Sequence, residues 1–242
     1  MKTISSSPKR LTLVGTLAIL VASFGSAHAG IFETHTFETF DGAASLPVPD
    51  GTPVGVSDVR TLESAIGQIT AISVSFKTSG EYNGDLYAYL RHGDGGFAVL
   101  LNRSGVTSSD SYGYADVGFD IVLDDAATLG DVHLYQDGMT PEYGSPLTGT
   151  WAPDGRRVDP ELSLDTTPRT AMLAEFLNLD AKGPWTLFVS DLSGGGDIAL
   201  ESWGLRIEGE AGGAVPEPGA WVCWAAVGLL GYAFWGRRAQ AR

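Results

Sequence analysis

Residues 183–209, Gly-Pro-Trp-Thr-Leu-Phe-Val-Ser-Asp-Leu-Ser-Gly-Gly-Gly-Asp-Ile-Ala-Leu-Glu-Ser-Trp-Gly-Leu-Arg-Ile-Glu-Gly, constrain the fold more than any other stretch of the chain. Trp185, Leu187 and Val189 alternate with polar or smaller residues, and Trp203, Leu205 and Ile207 alternate again after a Ser-Gly-Gly-Gly-Asp reversal. Period-two alternation buries one face of a strand and leaves the other to solvent. The pattern therefore predicts a β-hairpin that sends both tryptophans into one core, with Thr186, Ser190, Arg206 and Glu208 outside. Gly194 to Gly196 supply the positive φ that a tight reversal demands.

The rest of the chain agrees with an all-β reading. Ile31 to Phe40 alternate and suggest a first strand carrying Phe32, Phe37 and Phe40. Three prolines between Leu46 and Pro53 remove ladder donors, so that segment is expected to be an ordered loop. Arg60 to Ile66 and Ile69 to Phe76 read as strands, the second with Ile72, Val74 and Phe76 inward. Asp85 to Arg91 place Leu86, Ala88 and Leu90 on one face, and Phe97 to Leu101 and Val117 to Leu123 follow. Strands this short, with glycine turns between them, are what a sandwich or jelly roll requires. Gly138 to Pro160 reads as a long loop pinned by Trp151, and Thr170 to Leu177 as the one helical candidate, capped by Thr170, with Met172, Leu173, Phe176 and Leu177 on one face.

Two motifs resemble a known family. Gly183-x-Trp185-Thr-Leu-x-Val-x-Asp191, followed by a glycine turn and Leu-x-Ser-Trp203-x-Leu-x-Ile-x-Gly, is similar to the closing strands of the P domain (P/Homo B domain) of subtilisin-like proprotein convertases. Gly84-Asp85-Leu86 resembles that family's Gly-Asp-Leu strand, so the likeness covers about residues 61–209. It implies a jelly-roll-like β-sandwich in which Gly84, Asp85, Leu86, Gly183, Trp185, Asp191 and Trp203 are structural. It also implies an association with serine-type endopeptidases and proteolysis.

The two ends differ from this middle. Residues 1–29 carry a basic start, an apolar run from Leu11 to Phe24 and Ala27-His28-Ala29, the pattern of a secretory signal peptide. The globular part is then 30–210, roughly 180 residues, enough for one core. Residues 211–219 read as a linker, 220–236 as a transmembrane helix and 237–242 as a basic cytoplasmic tail. Its charge-free core, Ala220 to Trp235, spans ~24 Å as a helix, short of a full bilayer crossing. Val215, Pro216, Glu217 and Pro218, the apolar run, and Arg237 with Arg238 together resemble the PEP-CTERM sorting signal. That likeness implies an exosortase, a membrane transpeptidase, as partner, and an envelope or exopolysaccharide setting; an ordinary C-terminal anchor is the alternative.

Charge narrows the function classes. Residues 30–210 hold nine Lys and Arg against 28 Asp and Glu, a formal charge of −19, which repels phosphate backbones and argues against nucleic acid. The lone Cys223 lies in the apolar tail, so neither a disulfide nor a thiolate zinc site is expected in the domain.

Ser104, His35, His92 and His133 stand in no protease motif and the chain lacks room for the subtilisin-like scaffold, so no catalytic residues are assigned. Asp94, Asp124 and Asp125 read as turn acids. Asp110, Asp116, Asp120, Asp191 and Asp197 are candidate calcium ligands, or else solvated turn acids. The expected function is a secreted, membrane-tethered, non-catalytic module for binding or structure, with an accessory role beside a separate peptidase as the alternative.

Overall fold

The computed structural model describes residues 30–212. Ten strands form two sheets: β1 (Gly30–Phe37), β2 (Leu46–Pro47), β3 (Thr52–Leu62), β4 (Ile66–Ser79), β5 (Leu86–His92), β6 (Gly95–Asn102), β7 (Phe119–Leu123), β8 (Leu147–Trp151), β9 (Gly183–Asp191) and β10 (Ala199–Ala211). One sheet has the order β1-β10-β4-β7-β8, with β2 also on β10; the other is β3-β9-β5-β6. All pairings are antiparallel except β7 with β8. Their inner faces close over one apolar core, so the chain is an all-β two-sheet protein.

The expected hairpin does not form. β9 lies between β3 and β5 in one sheet, and β10 between β1 and β4 in the other, so residues 192–198 carry the chain across the sandwich. Trp185 and Trp203 still share the core, both fully buried, because facing sheets bring two alternating strands together as well as a hairpin would. The seven-residue connection is long enough to jump the ~10 Å between sheets. Gly195 and Gly196 have positive φ there; Gly194 does not. Ser190, expected outside, is buried.

Other boundaries moved for local reasons. β1 turns its odd positions inward, so Phe37 is half-buried while Phe32 is 70% exposed, and Phe40 reaches the core from beyond the strand. The proline-rich stretch is more regular than expected: β2 takes Leu46 and Pro47, and β3 starts at Thr52. Gly55 (φ 53°) makes this possible, because it sits at the β3–β9 register shift where a Cβ would strike the Val189 carbonyl. Ile66 opens β4, and Val117 and Gly118 precede β7.

The long loop contains β8, whose Leu147 and Trp151 are buried beside β7. The helical candidate is a 3-10 turn at Leu173–Phe176; Leu173 and Phe176 are buried, Met172 and Leu177 only partly. Its first amides are capped by the carboxylate of Asp125, which donates nothing and accepts from Leu173 and Ala174 at 3.0 and 2.7 Å. β10 runs through Ala211, slightly past the expected domain end. The signal peptide, most of the linker, the apolar segment and the basic tail lie outside the described residues. Among the described residues no helix is long and apolar enough to cross a membrane.

Candidate functional site

The outer face of the β3-β9-β5-β6 sheet carries an aromatic cluster. Tyr87 and Tyr89 on β5, Phe97 on β6 and Phe188 on β9 occupy the non-core positions of their strands, where alternation ordinarily places polar residues. Tyr89 pairs in register with Phe188 and stacks on it at 4.8 Å and 16° between planes. Tyr89 also meets Phe97 at 5.0 Å, and Tyr87 lies 6.0 Å from Tyr89 and 6.4 Å from Phe188. All four rings are half-buried. Burial, reinforced by Tyr89, raises the Tyr87 phenol above its ordinary pKa, so it stays a neutral hydroxyl.

Two open clefts flank Tyr89. One, of about 550 Å³, is bordered by Tyr87, Arg103, Asp159, Glu161, Phe188 and Ser190. Ser190 is 1% exposed and its hydroxyl has no hydrogen-bond partner within the protein. The other, of about 430 Å³, is bordered by Arg91, Phe97, Arg157 and Glu175, with the Arg157 guanidinium 5.0 Å over the Phe97 ring. Each cleft thus joins an aromatic floor to donors and acceptors on its rim, the composition of a small-molecule or chain-binding surface.

The Gly-Asp-Leu motif lies at one end of the sandwich. Asn83–Asp85 form a 3-10 turn, and Gly84 is where a Cβ would meet the Tyr112 carbonyl and the Tyr114 amide. Leu86 is in the core and pairs with Asp191 across β5 and β9, so the two motif aspartates are neighbours. The main-chain carbonyl of Asp85 accepts from Leu192 at 3.0 Å, while its carboxylate faces Ser193 and lies 4.0 Å from Arg103. Burial raises both carboxyls, Asp191 to about 6, and the charges of Asp85 and Asp50 add to the shift at Asp191. Gly183, with φ 121°, packs against His92, which in turn lies 4.4 Å from Trp185.

The five candidate calcium ligands are not brought together. Asp110 caps the amides of Tyr112 and Gly113, and Asp116 accepts from Tyr135 and Gln136 at 2.8 and 2.7 Å. Asp120 pairs with Lys77 at 2.9 Å on the surface, and Asp197 is exposed in the β9–β10 connection. Asp191 sits beside Asp85 and Asp50, neither of which is among the five. Among the described residues no three His, Cys, Asp or Glu side chains converge as a ready-made metal site. Of the turn acids, Asp124 caps Ala126 and Asp94 is exposed at the β5–β6 turn, whereas Asp125 caps the distant 3-10 turn at Leu173 and Ala174.

The histidines have structural partners. His35 bonds Glu33 at 3.1 Å, and His92 bonds the Lys182 carbonyl at 3.1 Å. His133 joins Asp154 through Nδ1, as a protease histidine would, yet its Nε2 is taken by the Val106 carbonyl at 2.9 Å. Ser104, His133 and Asp154 are all fully buried, so no substrate bond reaches them. This network, extended by Arg156 and Asp131, had no local sequence signal, because its members come from separate loops.

No family profile matches the chain, and no curated protein matches it. Among solved structures, 76% of this chain is similar to 28% of the serine protease of Aeromonas sobria in its complex with a chaperone, at 15% identity and a TM-score of 0.41. The same protease solved by itself is matched over 75% of this chain and 27% of its own, again at 15% identity and 0.41. The chain spans just over a quarter of the length of these proteins.

Proposed function

We propose that the protein is a secreted, membrane-tethered, non-catalytic module that holds a neutral polysaccharide on the outer face of its four-stranded sheet. The observation that carries the reading is the Tyr87–Tyr89–Phe97–Phe188 cluster between two polar-rimmed clefts. Sugar rings present C–H faces that pack against the negative faces of aromatic rings. Sugar hydroxyls both donate and accept, matching a rim of Arg91, Arg103 and Arg157 with Asp159, Glu161 and Glu175. The −19 charge of residues 30–210 disfavours polyanions, which leaves a neutral chain.

The surrounding biology follows from the sequence ends. Secretion rests on residues 1–29, tethering on 220–236, and sorting by an exosortase on Val215 to Pro218 with Arg237 and Arg238. The domain then stands outside the inner membrane and passes to the cell surface or exopolysaccharide matrix. The P-domain-like, jelly-roll-like assignment rests on the Gly84-Asp85-Leu86 and closing-strand motifs, and those motifs also support the second reading, an accessory to a separate subtilisin-like peptidase.

Affinity electrophoresis of the detergent-solubilised full chain tests the first reading. Migration is expected to be retarded by a neutral galactomannan and unaffected by alginate, a polyuronate. Tyr89→Ala and Phe188→Ala are each expected to weaken retardation about tenfold, the loss typical of a buried aromatic contact. Absence of retardation, or retardation unchanged in both variants, overturns it. Co-purification of a subtilisin-like peptidase from the producing organism, with no polysaccharide bound, favours the accessory.

A further inference from the structure

We propose that Asp85 and Asp191, with the β9–β10 connection that runs over them, form a site for a divalent cation, calcium by the chemistry of its donors. The decisive atom is Asp191 Oδ2. Asp191 is fully buried, its Oδ1 accepts a long 3.3 Å bond from the Ser193 amide, and Oδ2 meets no donor. A carboxylate oxygen sealed from water without a partner is costly and uncommon.

The neighbours deepen the shortage of positive charge. Leu86 pairs with Asp191, which sets Asp85, itself 7% exposed, beside it. Asp50 adds a third carboxylate and fixes the same connection by accepting from the Gly195 amide at 2.9 Å. Arg103 reaches Asp85 only at 4.0 Å, because its guanidinium is engaged by the carbonyls of Gly84 and Ser111 at 3.3 and 3.0 Å. One distant guanidinium stands against three acids.

A cation would supply the missing partner. The donors are hard oxygens, the carboxylates of Asp85 and Asp191 and the Ser193 hydroxyl beside them, which suits calcium or magnesium and not a thiophilic metal. An irregular glycine-rich connection adapts to the variable coordination of calcium more readily than to the strict octahedron of magnesium. A cleft of about 590 Å³, bordered by Asp85, Ser193, Gly194 and three tyrosines, reaches the Asp85 side of the pair from solvent and gives an ion a way in, while Asp191 lies behind it. This cation would order the crossing between the two sheets, independently of any ligand on the aromatic face.

Thermal unfolding of the detergent-solubilised full chain, in millimolar calcium against EDTA, reads the site directly. Calcium at a hundred times Kd is expected to raise Tm by about 5–10 °C. Asp191→Asn, nearly isosteric and uncharged, is expected to lose the rise, whereas Asp120→Asn keeps it. An equal Tm in calcium and EDTA, or a full rise in Asp191→Asn, overturns the site. Should Asp191→Asn not fold, terbium decides on the wild-type chain. Tyr82, Tyr112 and Tyr114 line the cleft and would sensitise emission from a bound ion. Emission that calcium displaces supports the site, and no sensitised emission overturns it.

Discussion

His133 and Asp154, both wholly inaccessible to solvent, meet at 2.8 Å between Nδ1 and Oδ2, while the other ring nitrogen faces the Val106 carbonyl at 2.9 Å. Asp154 Oδ1 accepts from the Arg156 amide at 3.1 Å and from its guanidinium at 3.3 Å. Arg156, 2% exposed, continues to Asp131 at 2.9 Å and to the carbonyls of Leu164 and Asp165. Burial opposes its charge, but Asp154 and Asp131 outweigh that and raise its pKa. Residues 103–106, 131–137 and 152–165, three segments outside the named strands, are tied together by these bonds.

His133→Ala is expected to destabilise the protein by about 3–5 kcal/mol, because it leaves the Asp154 carboxylate and the Val106 carbonyl buried and short of a donor. Urea unfolding checks this, with the midpoint falling at an unchanged slope. Arg156→Lys is expected to cost about 2–4 kcal/mol despite keeping the charge, since a single ammonium cannot reach two carboxylates and two carbonyls at once.

Trp203→Phe tests the link between the sheets. The Trp203 indole on β10 donates to Asp58 on β3 at 2.6 Å, and Asp58 also accepts from Arg60 at 2.7 Å. Removing the donor while keeping an aromatic ring is expected to cost about 1–3 kcal/mol by chemical denaturation. Trp185→Phe, whose indole donates to the Ala181 carbonyl nearby, should leave that cross-sheet bond intact.

Gly84→Ala is expected to destabilise by about 1–3 kcal/mol although the backbone there is not left-handed. The added methyl would press on the 112–114 backbone, which has no room to retreat while Gly84 bonds the Tyr114 carbonyl at 2.8 Å. Crowding at this turn should also lower the calcium-induced rise in Tm, because Asp85 follows directly.

In EDTA, stability is expected to fall as pH rises from about 4 to about 6. Burial, with the charges of Asp85 and Asp50, holds the Asp191 carboxyl near 6, whereas an unfolded aspartate titrates at about 3.9. Across that window the folded state keeps a proton that the unfolded state has lost, so the contribution is fully present at the acid end and gone at the other. Asp85, raised in the same direction by burial, adds to the slope. The difference between wild type and Asp191→Asn, about 3 kcal/mol over the window, isolates this effect from the other carboxylates.

Much of the candidate site was written in the chain, but only in part legibly. Tyr87 and Tyr89 stand at the outward positions of a strand whose inward ones, Leu86, Ala88 and Leu90, are unmistakable. Aromatics where polar residues are expected were the available signal. Phe97 and Phe188 could not be joined to them, since strand neighbours in a sheet are set by pairing and not by distance along the chain. The acidic end was half legible: the Gly-Asp-Leu and closing-strand motifs mark Asp85 and Asp191 separately, and nothing local announces that they are adjacent.

Alternation by itself determined that this is an all-β protein, which faces of β4, β5, β9 and β10 enter the core, and that Trp185 and Trp203 are buried. Those properties are local, because the side-chain period of an extended chain is fixed by its own backbone. Tertiary structure alone decided that β9 and β10 belong to different sheets, that β8 runs parallel to β7 inside an apparent loop, and that Asp191, Asp85 and Asp50 share one corner. The same alternation serves a hairpin or an arch between sheets equally well. The choice between them rests on competition for partners: β3 and β5 offer β9 its hydrogen bonds, and β1 and β4 offer β10 its own.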